Sequence, residues 1–260
     1  MWPFLFYGIF IVMKQKYKTI VLSDIHLGSQ YSKAKEVVKF LKSTECDVLI
    51  LNGDIIDGWA IKRGGKLTVD HIDCIRLFLK KSNKTKTYWI KGNHDEFLLD
   101  FIPFKIGNIE LLEELTIYGK NGKKYLVTHG DMFDIFANKM KWLAKVGSIG
   151  YDVALWLNKW YNKYRDWRGL EYFSLSKKIK DSVKLATNFI GDFENYLTNH
   201  AKEMDFDGVI CGHIHKAEIK KINNISYMNS GDWVESLTAL VETHDGKWKL
   251  IQYKEPKLKK

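Results

Sequence analysis

The chain has 260 residues, of which 45% are hydrophobic, 28% are charged and only 3 are proline, and its formal net charge at pH 7 is +10. This composition excludes a disordered chain, a collagen-like repeat and a polytopic membrane protein. The length suits one large domain, or a core with one sizeable insertion, and either can bury a full hydrophobic core.

The charge balance and the cysteines indicate the kind of partner and the compartment. Because 41 basic residues face 31 acidic ones, we expect a polyanionic partner such as an anionic membrane or a phosphorylated substrate. No long run of Lys and Arg and no helix-turn-helix, zinc-finger or RNA-binding pattern is present, so no nucleic-acid partner is expected. Cys46, Cys74 and Cys211 are odd in number and widely spaced, which favours a reducing, cytoplasmic compartment.

Residues 1–13 form an apolar N-terminal extension ahead of a main domain at 14–260. The apolar run is too short for a transmembrane helix and lacks both a basic start and a small-residue cleavage site. Two interpretations stay open. The run is an interfacial anchor, with Lys14, Lys16 and Lys18 at lipid phosphates, or an upstream start codon precedes a natural beginning at Met13.

The next part of the chain alternates strand-like and helix-like segments, which predicts an α/β fold. Short, β-branched apolar runs that stop at polar residues are typical of buried strands. They lie at 17–22, 47–51, 87–90, 124–127 and 208–211. Helical spacing of apolar residues covers 32–42 and 70–81.

Residues 132–200 differ from the rest, because they contain no strand-like run and carry aromatics at helical spacing among many Lys and Arg. We interpret them as a helical insertion. It is either a packed helical pair with a solvated lysine face or a cap that holds acyl chains and meets a diphosphate. After it, alternating segments at 225–228, 237–241 and 248–253 predict closing antiparallel strands, with a hairpin turn at Asp245-Gly246.

Polar residues follow all five predicted buried strands. Because ligands bind at the carboxyl ends of strands in an open α/β sheet, these residues should converge. Asp24 and His26 are two apart and share one face of an extended segment, and His213 and His215 repeat that spacing. Such oxygen and nitrogen ligands, with no thiolate, suit Mn, Fe, Zn or Mg rather than a structural zinc site.

These motifs resemble those of the calcineurin-like metallophosphoesterases. The matching blocks, in the family's order, are Asp24-Ile25-His26, Gly53-Asp54, Gly92-Asn93-His94-Asp95, His129-Gly130 and Gly212-His213-Ile214-His215. Leu27-Gly28-Ser29 and Gly231-Asp232-Trp233-Val234-Glu235 are similar to the UDP-2,3-diacylglucosamine pyrophosphatase group. The resemblance implies a sandwich of two mixed β-sheets flanked by helices, here with a helical cap at 132–200.

The resemblance also implies a dimetal site with two divalent ions, manganese being the first expectation and Fe, Zn or Mg the alternatives. One ion would be held by Asp24, His26, Asp54 and His215, and the other by Asp54, Asn93, His129 and His213. His94 would protonate the leaving oxygen or stabilise phosphoryl charge, with Asp95 orienting its ring. In the best-known diacylglucosamine enzymes, the resemblance implies Arg at the position of His94.

The activity implied by the resemblance is hydrolysis of UDP-2,3-diacylglucosamine to UMP and 2,3-diacylglucosamine 1-phosphate, in lipid A synthesis. The alternatives are another nucleotide-diphosphate or lipid phosphoester, or a non-catalytic metal-bound scaffold. A lipid-linked substrate implies peripheral binding to the inner face of the cytoplasmic membrane. Trp142, Trp156, Trp160 and Trp167 in the insertion suit such an interface.

Overall fold

Two mixed β-sheets face each other and carry helices on their outer sides. The computed structural model describes residues 14–102, 104–133, 168 and 176–254, without the side chains of Phe101 and of residues 176–187. The described strands are β1 Gln15–Leu22, β2 Thr44–Asn52, β3 Lys86–Ile90, β4 Phe104–Ile106, β5 Ile109–Leu112, β6 Leu115–Tyr118, β7 Lys124–Val127, β8 Gly208–Cys211, β9 Glu218–Ile222, β10 Ile225–Asn229, β11 Thr238–Glu242 and β12 Trp248–Gln252. The helices are α1 Ala34–Ser43, α2 Gly58–Lys62, α3 Val69–Ser82 and α4 Ser176–Glu203, with a 3₁₀ turn at Glu96–Phe101.

The strand order places the ends of the parallel strands side by side. The larger sheet runs β12-β11-β1-β2-β3-β5-β4, and the smaller runs β6-β7-β8-β10-β9. β1, β2 and β3 are parallel neighbours, as are β7 and β8. Because Leu22 pairs with Leu51 and Asn52 with Ile90, the three strands of the larger sheet end nearly level. The α/β sandwich expected from the sequence is confirmed.

The central strands are apolar along their whole length because both of their faces are buried. Leu22 and Leu51 point to the outer face of the larger sheet, where Phe78 of α3 packs with them. Their neighbours Val21 and Ile50 point inward to the smaller sheet. The smaller sheet in turn is covered by α4. The core therefore has four layers, helix on sheet on sheet on helix.

The predicted elements agree with the structure in type, with small shifts in bounds. All five predicted buried strands are present, and α1 and α3 lie within two residues of the predicted helices. The hairpin turn at Asp245-Gly246 is confirmed, with Gly246 at φ +81° between β11 and β12. The sequence did not predict the short strands β4, β5, β6 and β9, three of which are only three or four residues long.

Within the predicted insertion at 132–200, the structure describes residues 132–133, 168 and 176–200. Residues 134–167 and 169–175, including the four tryptophans proposed for an interface, lie outside the described residues, as do residues 1–13. The later part of α4 differs from the expectation of a cap. Phe193, Leu197 and Ala201 are fully buried against the smaller sheet, so this part of α4 is a core helix. Helical periodicity alone cannot tell a cap helix from a core helix, since both have an apolar face.

Candidate metal centre

Five turns at the carboxyl ends of parallel strands meet at one edge of the sandwich. They carry every predicted site residue: Asp24 and His26 after β1, Asp54 after β2, Asn93, His94 and Asp95 after β3, His129 after β7, and His213 and His215 after β8. Backbone hydrogen bonds join the turns. The amide of Asp24 donates to the carbonyl of Gly53 at 3.1 Å, and the amide of Gly212 donates to the carbonyl of His129 at 3.1 Å.

The backbone of these turns adopts an uncommon conformation. Asp24, His26, Asp54, His213 and His215 all have φ between 53° and 69°, in the left-handed region. They are five of the nine non-glycine residues with positive φ in the described part of the chain. This conformation costs free energy for a residue with a side chain and persists where the surroundings impose it, which is common at functional sites. Here it turns each side chain back toward the shared edge.

A first group of possible metal ligands consists of Asp24, His26 and His215. Nε2 of His215 lies 3.2 Å from Oδ1 of Asp24, and Nε2 of His26 lies 4.0 Å from the same oxygen. The two imidazole Nε2 atoms are 3.4 Å apart. These donor atoms surround one point at the spacing that a single cation requires.

A second group consists of Asp54, His129 and His213, and Asp54 connects it to the first. Oδ2 of Asp54 is 3.4 Å from Nε2 of His129 and 3.8 Å from Nε2 of His26. The rings of His129 and His213 are 5.2 Å apart. One carboxylate thus reaches ligands of both groups, which is the position expected of a residue that bridges two ions.

Unpartnered buried atoms show that the residues fit a bound cation. Oδ1 of Asp24, Oδ1 of Asn93 and Nε2 of His129 are buried and accept or donate no well-aligned hydrogen bond; the contacts of the first and third are with other candidate ligands, at 3.2 Å to His215 and 3.4 Å to Asp54. Leaving a buried polar atom unsatisfied costs about 1–3 kcal/mol each, so three such atoms in adjoining turns need an explanation. All three are lone-pair donors that a divalent metal ion accepts.

Contacts behind the ligands set their orientation. Nδ1 of His129 lies 2.9 Å from the backbone carbonyl of Asn52. Because a carbonyl only accepts, Nδ1 carries the hydrogen and Nε2 keeps its lone pair free for a metal. Gly53, at φ +79°, makes room for this ring, since a Cβ there would lie 2.3 Å from two of its atoms.

Burial and charge act in opposite directions on these groups. Burial alone would raise the pKa of Asp24, but the neighbouring His129 and His215 outweigh burial and lower it. Burial alone would lower the pKa of His129, but Asp54 and Asp24 raise that pKa well above its usual value. The carboxylates therefore stay ionised, and the neighbouring imidazole of His129 carries a positive charge close to them. A bound cation supplies the same positive charge and displaces the proton from the imidazole.

The partner of His94 differs from the one predicted. Nδ1 of His94 is 2.9 Å from Oδ1 of Asp57, so Asp57 and not Asp95 orients the ring. Asp57 also lies 3.6 Å from Nδ1 of His26 and caps α2 by accepting from the amide of Ala60. Burial alone would lower the pKa of His94, but the hydrogen bond that its Nδ1 donates to Asp57 and the charge of Asp54 raise it. Sequence reasoning did not select Asp57, although it lies in the same post-strand turn as Asp54.

Asp95 instead makes hydrogen bonds that hold the backbone of the site together. Its buried carboxylate accepts hydrogen bonds from the amides of Gly92 and Ile55 and from the indole of Trp89. These bonds tie the turn after β3 to the turn after β2. Asp95 faces the interior because the turn sends consecutive side chains in different directions, so His94 faces the cleft. We therefore correct the predicted catalytic role of Asp95 to one of holding the two turns in place.

The metal-ligand groups open into a cleft of about 490 Å³. Its lining contains His26, Ser29, Tyr31, Asp54, Asp57, Asn93, His94, His213, His215 and Val234. Nε2 of His94 lies 3.9 Å from Oδ2 of Asp54, which places this nitrogen beside the candidate ligands at the cleft wall. A substrate in the cleft can thus meet bound cations and the His94 ring together.

The family model described as Calcineurin-like phosphoesterase matches residues 17–217 of the chain. The chain belongs to the calcineurin-like phosphoesterase family. The match covers all five motifs and confirms the resemblance found in the sequence. Family membership makes the chain a metal-dependent phosphoesterase hydrolase, and the buried, unpartnered donor atoms agree with binding of divalent metal.

The named relatives of this phosphoesterase include both an enzyme of small-molecule hydrolysis and a subunit of a DNA polymerase. It is 27% identical over 237 residues to UDP-2,3-diacylglucosamine hydrolase from Vibrio atlanticus, a match that covers 87% of this chain and 93% of the relative. It is 28% identical over 155 residues to the DNA polymerase II small subunit from Methanothermobacter thermautotrophicus, covering 47% of this chain and 32% of that subunit. A solved archaeal phosphodiesterase matches with 14% identity and a TM-score of 0.42, over 90% of this chain and 99% of the other.

Proposed function

We propose that this phosphoesterase hydrolyses the pyrophosphate bond of UDP-2,3-diacylglucosamine and releases UMP and 2,3-diacylglucosamine 1-phosphate, a step of lipid A synthesis. The observation that carries the proposal is the match with the Vibrio atlanticus hydrolase, which covers 87% of this chain and 93% of the relative. A DNA polymerase II small subunit from Thermoplasma acidophilum also matches 82% of this chain, but only 44% of its own length, whereas the match covers 93% of the hydrolase. The composition supports the proposal, because a net charge of +10 suits a substrate that carries a diphosphate.

In this proposal two divalent ions bind at the two ligand groups, with manganese as the first candidate and Fe, Zn or Mg as alternatives. Asp24, His26, Asp54 and His215 would hold one ion, and Asp54, Asn93, His129 and His213 would hold the other. Bound metals of this kind lower the pKa of a coordinated water and stabilise the oxygens of an in-line displacement at phosphorus. Asp54, buried between the two groups, would contribute a ligand to both ions.

His94 serves the leaving side of the reaction. Its Nδ1 is fixed by Asp57, so its Nε2 is presented to the cleft in one orientation. From there Nε2 donates a hydrogen bond to a phosphoryl oxygen or a proton to the leaving oxygen. Asp57 acts through His94 and is a positioning residue.

The proposal also places the enzyme at the inner face of the cytoplasmic membrane as a peripheral protein. Its substrate would carry two acyl chains and stay in the leaflet, so the enzyme must meet it at an anionic surface. The basic residues and tryptophans of the insertion at 132–200 remain candidates for this contact. Among the described residues, no helix combines the length and the apolarity needed to cross a membrane.

Two experiments test the substrate. The first is complementation of a strain depleted of the UDP-2,3-diacylglucosamine pyrophosphatase, with Asp54→Ala as the inactive control. The second is thin-layer chromatography of radiolabelled lipid after incubation of the purified enzyme with UDP-2,3-diacylglucosamine and Mn²⁺. We expect growth and the 1-phosphate lipid product. If the enzyme hydrolyses bis-p-nitrophenyl phosphate but gives neither result, the proposed lipid substrate is wrong and the phosphoesterase activity still stands.

His94 favours a second candidate, an activity on another nucleotide-diphosphate or lipid phosphoester. The position holds an imidazole paired with Asp57, where the best-known diacylglucosamine enzymes are expected to carry Arg. An imidazole has one free nitrogen to offer, whereas a guanidinium offers several donors to a diphosphate. If this candidate is correct, a panel of nucleotide diphosphates will contain a better substrate than UDP-2,3-diacylglucosamine, and His94→Arg will move the preference toward the diacyl compound.

A further inference from the structure

An exposed loop beside the cleft combines large apolar side chains with basic ones. We call residues 58–69 the apolar-basic loop; it comprises α2, the connection to α3 and the first residue of α3. Four large apolar side chains in it are exposed, Trp59 at 36%, Ile61 at 37%, Leu67 at 39% and Val69 at 75%. Lys62, Arg63 and Lys66 are exposed as well, and the loop contains no acidic residue.

The apolar-basic loop is held in place at its base. The amide of Gly65 donates to the carbonyl of Ala60 at 2.9 Å. Nδ1 of the buried His71 accepts from the amides of Thr68 and Gly28, at 3.3 and 3.1 Å. Because the backbone is anchored at both sides, the exposure of the apolar side chains is a property of the folded loop.

The loop lies directly against the candidate catalytic residues. The ring of Trp59 is 4.1 Å from the ring of His94, and the amide of Gly58 donates to the carbonyl of His94 at 2.9 Å. Phe97, 38% exposed, lies next to Gly58, since a Cβ on that glycine would be 3.2 Å from the Phe97 ring. A partner that covers the loop is therefore at the mouth of the cleft.

We infer that the apolar-basic loop binds an anionic lipid surface and so brings the cleft to the membrane. Leu, Ile and Val side chains enter the boundary between headgroups and acyl chains, Trp prefers that boundary, and Lys and Arg meet lipid phosphates. The inference rests on the proposed function for its choice of a lipid as partner. It assigns the contact to the apolar-basic loop, in addition to the insertion.

The charge and the apolar side chains of the loop disfavour two other partners, residues 134–175 of the same chain and a nucleic acid. Residues 134–175 of the same chain could lie over the loop, but they carry seven basic and four acidic residues, so the two would repel. A nucleic acid would pair with the three basic side chains, but it would leave the exposed aliphatic side chains of Ile61, Leu67 and Val69 without an apolar partner. An anionic membrane matches both features of the loop.

The test is flotation of the full chain with phosphatidylglycerol–phosphatidylethanolamine vesicles, compared with neutral phosphatidylcholine vesicles. One variant removes the apolar contact by Leu67→Ser with Val69→Ser, and a second removes the charges by Lys62→Gln, Arg63→Gln and Lys66→Gln. With about a five-fold contribution from each basic residue near an anionic surface, the second variant should lower the partition coefficient on the order of 100-fold. The first should lower it on the order of 10-fold or more.

Matched controls lie far from the cleft. Lys42→Gln, Lys80→Gln and Lys84→Gln make the same change in charge on exposed lysines at the opposite end of the larger sheet. Tyr118→Ser with Ile219→Ser removes exposed apolar side chains from β6 and β9, the edge strands of the smaller sheet. These variants should bind vesicles like the unaltered chain. All variants should hydrolyse bis-p-nitrophenyl phosphate at the unaltered rate, and because the vesicles contain no substrate, a wrong lipid substrate would not affect this result.

Four results would overturn the inference. The loop variants could bind vesicles as well as the unaltered chain does. The controls could lose as much binding as the loop variants, which would mean that total charge and not the loop is responsible. The loop variants could keep vesicle binding but lose binding to double-stranded DNA, which would mean that the loop binds a nucleic acid. They could also keep vesicle binding but unfold several degrees lower in temperature, which would mean that the loop packs against another part of the chain.

Discussion

The charged residues at the carboxyl ends of the parallel strands differ from those at the amino ends in type and in burial. At the carboxyl ends, Asp24, His26 and Asp54 are buried, lie close to one another and adopt left-handed backbone. At the amino ends, five lysines line a cleft of about 620 Å³ between α1, α3 and the start of β1: Lys14, Lys42, Lys80, Lys81 and Lys84. Four of them, Lys14, Lys42, Lys80 and Lys84, are exposed.

The amino-end lysines have an ordinary structural explanation. Lys42 lies in the last turn of α1, and Lys80 and Lys81 lie in the last turn of α3, where positive charge compensates the helix dipole. Lys14 pairs with Glu45 at 3.3 Å. A dense charge cluster is thus not by itself a functional site. What distinguishes the carboxyl-end cluster is burial with unpartnered donor atoms, since that arrangement is costly without a ligand.

The strongest test of this contrast is Asp54→Ala. We expect hydrolysis of bis-p-nitrophenyl phosphate to fall on the order of 1000-fold or more, because the carboxylate that joins both ligand groups is lost. Bound metal, measured by plasma mass spectrometry, should fall with it, while far-UV circular dichroism stays unchanged. EDTA should inactivate the unaltered chain until Mn²⁺ is added. Full activity in metal-stripped protein would refute the metal centre.

Glycines provide the second test. Gly53→Ala should lower the free energy of unfolding by about 3 kcal/mol or more, because positive φ and a clash with the His129 ring act together. Gly64→Ala is the matched control, since Gly64 also has positive φ but has open space around its Cβ. It should cost about 1 kcal/mol. Equal losses in urea unfolding would show that His129 moves freely away from the turn.

The third test separates Asp57 from Asp95. Asp57→Asn should lower kcat about 10- to 100-fold with metal content retained, because the His94 ring loses its carboxylate partner but α2 keeps a suitable cap residue. Asp95→Asn should instead lower the unfolding temperature, since Asp95 accepts from amides in two turns. Steady-state kinetics and thermal unfolding of both variants decide the assignment. A kcat loss in Asp95→Asn alone would restore the predicted role of Asp95.

The smallest effect is expected at the amino end. Lys81 is partly buried and donates to the backbone carbonyl of Thr44 at 3.0 Å, whereas Lys80 is exposed. Lys81→Met should therefore cost about 1 kcal/mol in the free energy of unfolding, and Lys80→Met less than about 0.5 kcal/mol. Neither should change hydrolysis of the soluble diester. A fall in that activity in either variant would contradict the separation of the two ends.

The sequence alone predicted the strands that carry the site. Each is buried on both faces, so it appears as a short run of apolar residues that stops where the polar turn begins, as at Leu22 and Leu51. Two edge strands, β6 and β9, were not predicted, because they are only four and five residues long and neither has a fully buried position. Their register is information that a local pattern does not contain.

The sequence by itself determined the order of the ligand turns and the residue types in them, because strand ends and turn residues are local features. Only the tertiary structure decided which carboxylate contacts which ring. Asp57 reaches His94 from the turn after β2, and Asp95, which follows His94 in sequence, turns inward to Trp89. It also decided that Trp59 lies against His94 and that Phe193 belongs to the core. These contacts depend on how turns from separate strands are brought together, and the order of residues along one strand does not specify that.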